Sequence, residues 1–347
     1  PPGFGGPTGS LFRNQVATII GPAPYFVDFT GTADRNFRNY AFFGEVEYDI
    51  TDNLVGRAGL RYDNVQNSQM SELQYSVQNT TLSITDSGEE QTDLSALLPS
   101  ASLTYEFDED TTLSFLYKKS YRTGGVAISP DPILGQAVES FDPEFTDTVE
   151  LAYRAVNIGD FDISANVYFT SWEDQQISIQ NPQIPAFNET SNAGASEQYG
   201  FEGQVSYTPT ERLNFYTSVA FARTEFTDYV DPNTGEVFTG NQFPYAPETM
   251  VNGGVTAEIC TDLFFNVNFN YQDEAFVNPE NTHFVDSRFV VNASLTYDKE
   301  LWYVSLFSYN IFDELYVTQD ARNAAGFSPT LVVGDPTVIG IKGGIRF

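Results

Sequence analysis

His283, Asp286 and Ser287 lie together in "HFVDS", and those are the three side-chain types of a charge-relay hydrolase. Relay chemistry needs them to converge on one point beside an oxyanion hole. Extended neighbours alternate faces, so His283 and Asp286 point apart on a strand. No G-x-S-x-G surrounds the serine. The chain has one His and one Cys, Cys260, so neither a zinc site of the usual kind nor an intrachain disulfide forms. "DPNTGE", Asp231–Glu236, lacks the acidic spacing of a calcium loop and reads as a loop-tip turn. "GFGGPTGS" has no Lys ahead of its last Ser, so it cradles no phosphate. The expectation is no catalytic residue, no metal, no cofactor and no enzyme.

A different set of residues has a pattern. Arg57, Arg61, Lys118, Arg122, Glu150, Arg154, Glu202, Asn266, Asn268, Asn270 and Asn292 sit at alternate positions among apolar residues. Polar groups on one face of alternating strands are expected to line a wet wall, a few of them touching a solute. Their mixed signs fit salt-bridged walls rather than a single-sign ion filter. "YRTGG" (Tyr121, Arg122, Gly124 and Gly125) marks a strand exit, with glycine serving backbone geometry. Trp172, Phe187, Phe243 and Tyr245 in the loops are candidates to stack on a solute, with Trp172 better placed in an aromatic girdle. Lys119 is expected to face outward near the same rim.

The elements that must hold these residues are strands. Aromatics reach 15%, with 30 Phe and 20 Tyr, a supply that suits sheets and not disorder. Net charge is -31, which argues against nucleic acid, since phosphate binding needs clustered cations. No apolar run is long enough for a membrane helix. Period-two alternation is nearly continuous: in "LFFNVNFNYQ", Leu263, Phe265, Val267, Phe269 and Tyr271 oppose Phe264, Asn266, Asn268, Asn270 and Gln272. Strands are expected at 39–50, 53–63, 97–107, 111–122, 144–156, 160–172, 196–207, 211–226, 247–259, 262–272, 286–297, 300–310 and 336–347, with a weaker one at 10–20.

Short turns such as "NIGD" and "CTD" alternate with long polar stretches at 64–94, 123–143, 173–195, 227–246, 273–285 and 311–335. Tyr48, Tyr105, Tyr153, Tyr207 and Tyr297 recur just before short turns, with Ala257 in the same place once. A soluble sandwich explains the alternation but not this asymmetry. Short turns at one end, long loops at the other and aromatic girdles are the pattern of a transmembrane β-barrel, and lipid demands that such a sheet close. The reading is an all-β, antiparallel transmembrane β-barrel of about fourteen strands in a single domain over 1–347, with 1–38 poorly assigned. The chain ends "VIGIKGGIRF", placing Ile339, Ile341, Ile345 and Phe347 on one face, where the last aromatic joins a girdle and the strand seals against the first.

Several stretches resemble the TonB-dependent outer-membrane receptors. "ALLPSASLTYEFDEDTTLSFLYKKSYRTGG" is similar to that family's Leu-Pro-Ser, strand-turn-strand, Arg-x-Gly-Gly stretch. "FDPEFTDTVELAYR", "ANVYFTSWEDQQI", "SYNIFDELY" and "IGIKGGIRF" resemble its later segments, so the likeness runs over about 95–347. It implies a location in the outer membrane of a Gram-negative bacterium and the C-terminal part of a barrel of about 22 strands, its N-terminal plug and TonB-contact box absent. It further implies energy-coupled uptake of a scarce, bulky solute such as a ferric siderophore. The implied partners are outer-membrane lipid, the TonB complex and the barrel-assembly machinery that reads the last strand. A complete fourteen-stranded passive channel and a structural or adhesive surface barrel are the other readings.

Overall fold

Alternating side chains specify which face of a strand is dry, and pairing then propagates that choice across a whole sheet. The structure is a computed structural model. It describes residues 27–77, 83–131, 136–180, 188–192, 194–231, 235–320 and 331–346.

Three long strands come first: β1 (Val27–Thr51), β2 (Leu54–Val77) and β3 (Ser83–Glu106). Then follow β4 (Thr111–Arg122), the short pair β5 (Gly125–Asp131) and β6 (Gln136–Phe141), β7 (Glu144–Ile158) and β8 (Phe161–Glu173). A second short pair, β9 (Gln176–Gln180) and β10 (Asn188–Asn192), precedes β11 (Ala195–Thr210), β12 (Leu213–Asp228), β13 (Thr249–Cys260) and β14 (Leu263–Gln272). The remainder is β15 (Ala275–Phe276), β16 (Phe284–Val285), β17 (Arg288–Asp298), β18 (Trp302–Tyr309), β19 (Val317–Asp320), β20 (Leu331–Val333) and β21 (Val338–Ile345).

One 13-stranded sheet runs β1-β2-β3-β4-β7-β8-β11-β12-β13-β14-β17-β18-β21, with every neighbour antiparallel. It is the all-β, barrel-type meander expected, and its thirteen members match the thirteen stronger strand assignments. The weaker one, 10–20, lies outside the described residues, as does Phe347. Among the described residues β1 pairs only with β2 and β21 only with β18.

Register sorts the sheet into two faces. Following Cα partners, one face carries Leu103, Phe115, Leu151, Val167, Phe201, Val219, Val255, Val267, Val291, Leu306 and Ile341. Its side chains are widely exposed: Ile339 is 72% and Ile341 75% accessible. A continuous exposed apolar face of this kind is the mark of a surface that meets lipid or another apolar partner. The Tyr48, Tyr105, Tyr153, Tyr207 and Tyr297 markers fall on this face, all at the short-turn end. There Phe161 and Tyr207 stack at 4.3 Å, and Tyr297 meets Trp302 at 5.6 Å.

Adjacent short turns are bonded to one another. Glu106 N donates to Asn53 O, Val156 N to Asp110 O, Thr208 N to Asp160 O, Glu258 N to Arg212 O and Asp298 N to Asp262 O. Lys299 pairs with Asp262, and Arg346 holds Asp298 through two bonds at 2.7 and 3.0 Å. Left-handed backbone at Asn157, Gly159 and Asp262 lets these turns close tightly.

The long stretches differ from the loops expected. Within 64–94 the described residues form strands: β2 and β3 continue as a paired ribbon out to Ser76↔Ser83. Hairpins β5–β6, β9–β10 and β19–β20 occupy parts of 123–143, 173–195 and 311–335. The β2–β3 extension is mostly polar on both faces and the hairpins are only three to seven residues a strand, so a sustained alternation is missing there although backbone pairing is not.

Candidate functional site

The eleven polar candidates share the second face. Register links Arg57 to Ser102, Leu116 and Glu150, and Lys118 to Ser100 and Thr148. It carries on through Tyr168, Gly200 and Asn166 to Glu202, and from Asn252 through Asn270 to Val290. Arg61, Arg122, Arg154, Asn266, Asn268 and Asn292 hold the same parity. Two clefts open on this face. One, of about 510 Å³, is lined by Asn39, Phe43, Arg61, Asp63, Ser100 and Lys118. The other, of about 500 Å³, is lined by Glu150, Arg154, Asn166, Glu202, Gln204 and Asn252.

Many of these groups already have partners. Arg57 Nε donates to Glu47 at 2.5 Å. Arg61 Nε donates to both oxygens of Asp63, at 2.9 and 3.0 Å, and its guanidinium stands over the Phe43 ring. Glu150 accepts from Asn166 at 3.2 Å. Asn268 Nδ2 donates to Asn266 Oδ1 at 3.1 Å and Asn292 Nδ2 to Asn268 Oδ1 at 3.0 Å. Asn266 Nδ2 reaches Thr256 Oγ1 at 2.8 Å, and Asn270 Nδ2 donates to Asn252 Oδ1. Lys118 and Arg154 form no ion pair among the described residues.

At the long-loop end the "YRTGG" residues diverge. Pairing of β3 with β4 stops at Ser100↔Lys118, so the end of β4 parts from β3 while it stays paired with β7 as far as Arg122↔Glu144. Tyr121 then sends its hydroxyl to Asp63, 2.9 Å away, although its parity puts it on the apolar face. Arg122 Nη2 donates to Glu144 at 2.6 Å and to the Gln176 carbonyl at 2.8 Å, while Gln176 N donates to the same carboxylate. Glu144 is buried and was not among the candidates, and neither was Asp63. Asp63 was findable, because Arg61-x-Asp63 puts opposite charges two residues apart on one face. Glu144 was not, because the partner that buries it, Gln176, lies on a different hairpin. At Gly124 an added Cβ would stand 2.6 Å from the Phe141 carbonyl oxygen, so the strand exit requires glycine for close approach.

One assignment is corrected. Trp172 pairs with Thr146 and Ser196, which puts it on the polar face and not in a lipid-facing girdle. It packs edge-on against Phe243 at 5.8 Å. Phe243 in turn packs against a buried loop core of Phe226, Tyr229 and Phe238. These rings are spent on the loop's own packing. Tyr245 donates its hydroxyl to Asp320 O at 2.9 Å, and Phe187 lies outside the described residues. Lys119 does face outward, but at 2.9 Å from Asp147, which also accepts from Tyr117 at 2.6 Å.

The "HFVDS" trio shows no relay. The imidazole Nδ1 of His283 contacts Thr282 Oγ1 at 2.9 Å, and β16 begins at the next residue. The described ends of "DPNTGE" are joined, Asp231 N donating to Glu236 O beside the Val230↔Val237 bridge. No cluster of metal-ligating side chains occurs among the described residues.

On the polar face the rings lie flat. An added Cβ at Gly254 would meet the Tyr216 hydroxyl at 2.6 Å, and one at Gly340 the Phe307 ring at 2.5 Å. In both cases the aromatic of one strand covers the bare backbone of the next.

The sequence matches the family model described as TonB dependent receptor-like, beta-barrel, over residues 4–312. The chain belongs to the TonB-dependent receptor family. Solved members share the sheet. The ferric yersiniabactin uptake receptor FyuA from Yersinia pestis aligns with TM-score 0.75 at 21% identity, over 92% of this chain and 47% of its own. The siderophore receptor PiuA from Acinetobacter baumannii aligns with TM-score 0.68 at 17% identity, over 90% and 43%. The copper transporter OprC aligns with TM-score 0.69 at 16% identity, over 90% and 48%. The chain therefore spans about half the length of these TonB-dependent receptor-fold structures. The resemblance read from "YRTGG", "SYNIFDELY" and the last strand is borne out at the level of family and fold.

Proposed function

We propose that the chain is the C-terminal part of the barrel of an outer-membrane receptor, in a Gram-negative bacterium, for energy-coupled uptake of a scarce, bulky solute, an iron-siderophore complex first among the candidates. The observation that carries this is the two-faced sheet: one face of exposed aliphatic and aromatic side chains suits lipid, the other suits a water-filled interior. The polar face is then the lumen wall, and its eleven polar residues line the solute's path. The long-loop end is the outer mouth, where Tyr121 and Arg122 anchor the loop roots through Asp63 and Glu144. Energy coupling by the TonB complex comes from the family, and the names of FyuA and PiuA support a ferric chelate as cargo. The exposed Ile339, Ile341 and Ile345 on β21 suit recognition of the last strand by the barrel-assembly machinery.

The test is growth of a strain lacking the gene, given single ferric chelates as its only iron source. The expected result is failure on at least one chelate, restored by the full-length gene and abolished by a protonophore. Indifference to every chelate would remove the iron assignment. Uptake that persists in de-energised cells would favour the passive channel.

A further inference from the structure

The polar face is chemically divided. Over β1 to β11 it is charged, with Arg57, Arg61, Lys118, Glu150, Arg154 and Glu202 along it. Over the next strands the charge disappears. From Met250 to Thr256, from Asn266 to Gln272 and from Val290 to Thr296, every polar-face residue is uncharged. Charges return at the strand ends, Glu258 with Arg212 and Asp298 with Arg346, while Arg288 donates to the neutral Gln272 and Lys342 shares this face further along on β21.

The neutral zone is a connected strip of amides. Asn310 N donates to Asn292 Oδ1 at 3.0 Å, which extends the Asn292–Asn268–Asn266–Thr256 run already described. Each primary amide has two N–H donors and two acceptor lone pairs. The ladder consumes one donor on Asn268 and one on Asn292, while Asn266 reaches both Thr256 Oγ1 and the Val255 carbonyl; further donors and acceptors on Asn268 and Asn292 remain for whatever lies in front. A solute with its own mixture of donors and acceptors can exchange water for this strip. A polyanion would be desolvated along the strip, with cations only at its margins, Arg288 at one end and Lys342 two strands away.

An independent feature works in the same direction. The six long connections carry 21 Asp and Glu against one Arg, Arg322, so the mouth presents a negative field to anything approaching. Such a field slows anions, within a screening length of about 8 Å at physiological salt.

We infer that the solute is uncharged and rich in amide, hydroxamate or hydroxyl groups, and that the asparagine strip of β13, β14 and β17 is where those groups bind during passage. This rests on the receptor reading and narrows its substrate class.

The experiment is radioiron uptake by cells whose only ferric receptor is the full-length protein. The probes are an uncharged ferric trihydroxamate and a triply anionic ferric triscatecholate. The trihydroxamate is expected to enter and the triscatecholate to enter at least about tenfold more slowly, with the gap narrowing as salt rises. Asn268→Asp combined with Asn292→Asp is expected to slow trihydroxamate uptake about tenfold, equivalent to about 1.4 kcal/mol. Surface display of the variant on intact cells verifies folding, and the discrimination by the unaltered protein needs no variant. Equal or faster uptake of the triscatecholate, or a displayed double variant without effect, overturns the inference while leaving the receptor reading intact. Uptake of neither probe also overturns the inference, and the receptor reading then rests on the panel of single chelates.

Discussion

Tyr229 is 1% exposed, and its hydroxyl has no hydrogen-bond partner among the described residues. A buried donor left unmade costs about 1–3 kcal/mol. Tyr229→Phe is therefore expected to leave the 229–248 loop at least as resistant to protease as the parent, and lower resistance would reveal a hidden partner. Burial, with Asp231 and Glu280 nearby, pushes this phenol above its ordinary range. A raised phenol pKa means the folded loop favours the protonated form. That contribution is complete below the ordinary tyrosine value of about 10 and is lost as pH climbs above it. Alkaline loosening of the loop should accordingly be smaller in Tyr229→Phe, read by the same cleavage assay. At the mouth, Arg122→Ala leaves Glu144 with the Gln176 amide as a remaining donor. The arginine side chain is 56% exposed, so the loss belongs near the low end of about 1–3 kcal/mol. It should appear as faster cleavage in 174–194, and an unchanged rate would mean the β9–β10 hairpin is held by other bonds.

Among elements, β14 gives the sharpest contrast because its two faces differ completely. Val267 lies at mid-strand on the apolar face and Asn266 beside it on the polar one. Val267→Arg is expected to cost about 2–4 kcal/mol and Asn266→Arg much less. Heat-modified mobility on gels would report the difference, and equal effects would deny that the two faces meet different media. Strands of this kind were legible because "LFFNVNFNYQ" alternates apolar with asparagine. The ribbon over 64–94 was not, because "NVQNSQMSELQ" is polar on both faces and nothing in the sequence distinguishes pairing from looping. Facing was legible for Arg57 or Asn268 from parity alone. It failed for Trp172 and for Tyr121, one assigned to the wrong face and the other reaching across a strand that had stopped pairing. The flat rings over Gly254 and Gly340 were also hidden, since they depend on cross-strand register.

At the scale of the whole molecule, the sheet described has two unpaired edges, and β1 exposes Phe42 at 74% and Val46 at 69%. An open edge is untenable in lipid. Residues 27–347 produced alone are expected to aggregate, while the full-length protein gives a heat-modifiable monomer. A stable barrel from 27–347 alone would instead support the smaller, self-sealing channel. Acidity also has a whole-molecule arrangement: it collects at both wet ends, in the long connections and in turns such as "DEDT". The asparagine strip is free of it, which the net charge of -31 could not reveal.

Tyr216 and Phe307 lie against bare glycine backbone instead of projecting from the wall. A tube finished in this way has little constriction of its own at those heights. On the proposed receptor reading, control over when cargo passes falls to a separate body in the bore, and altering these two glycines would change its clearance and not its lock.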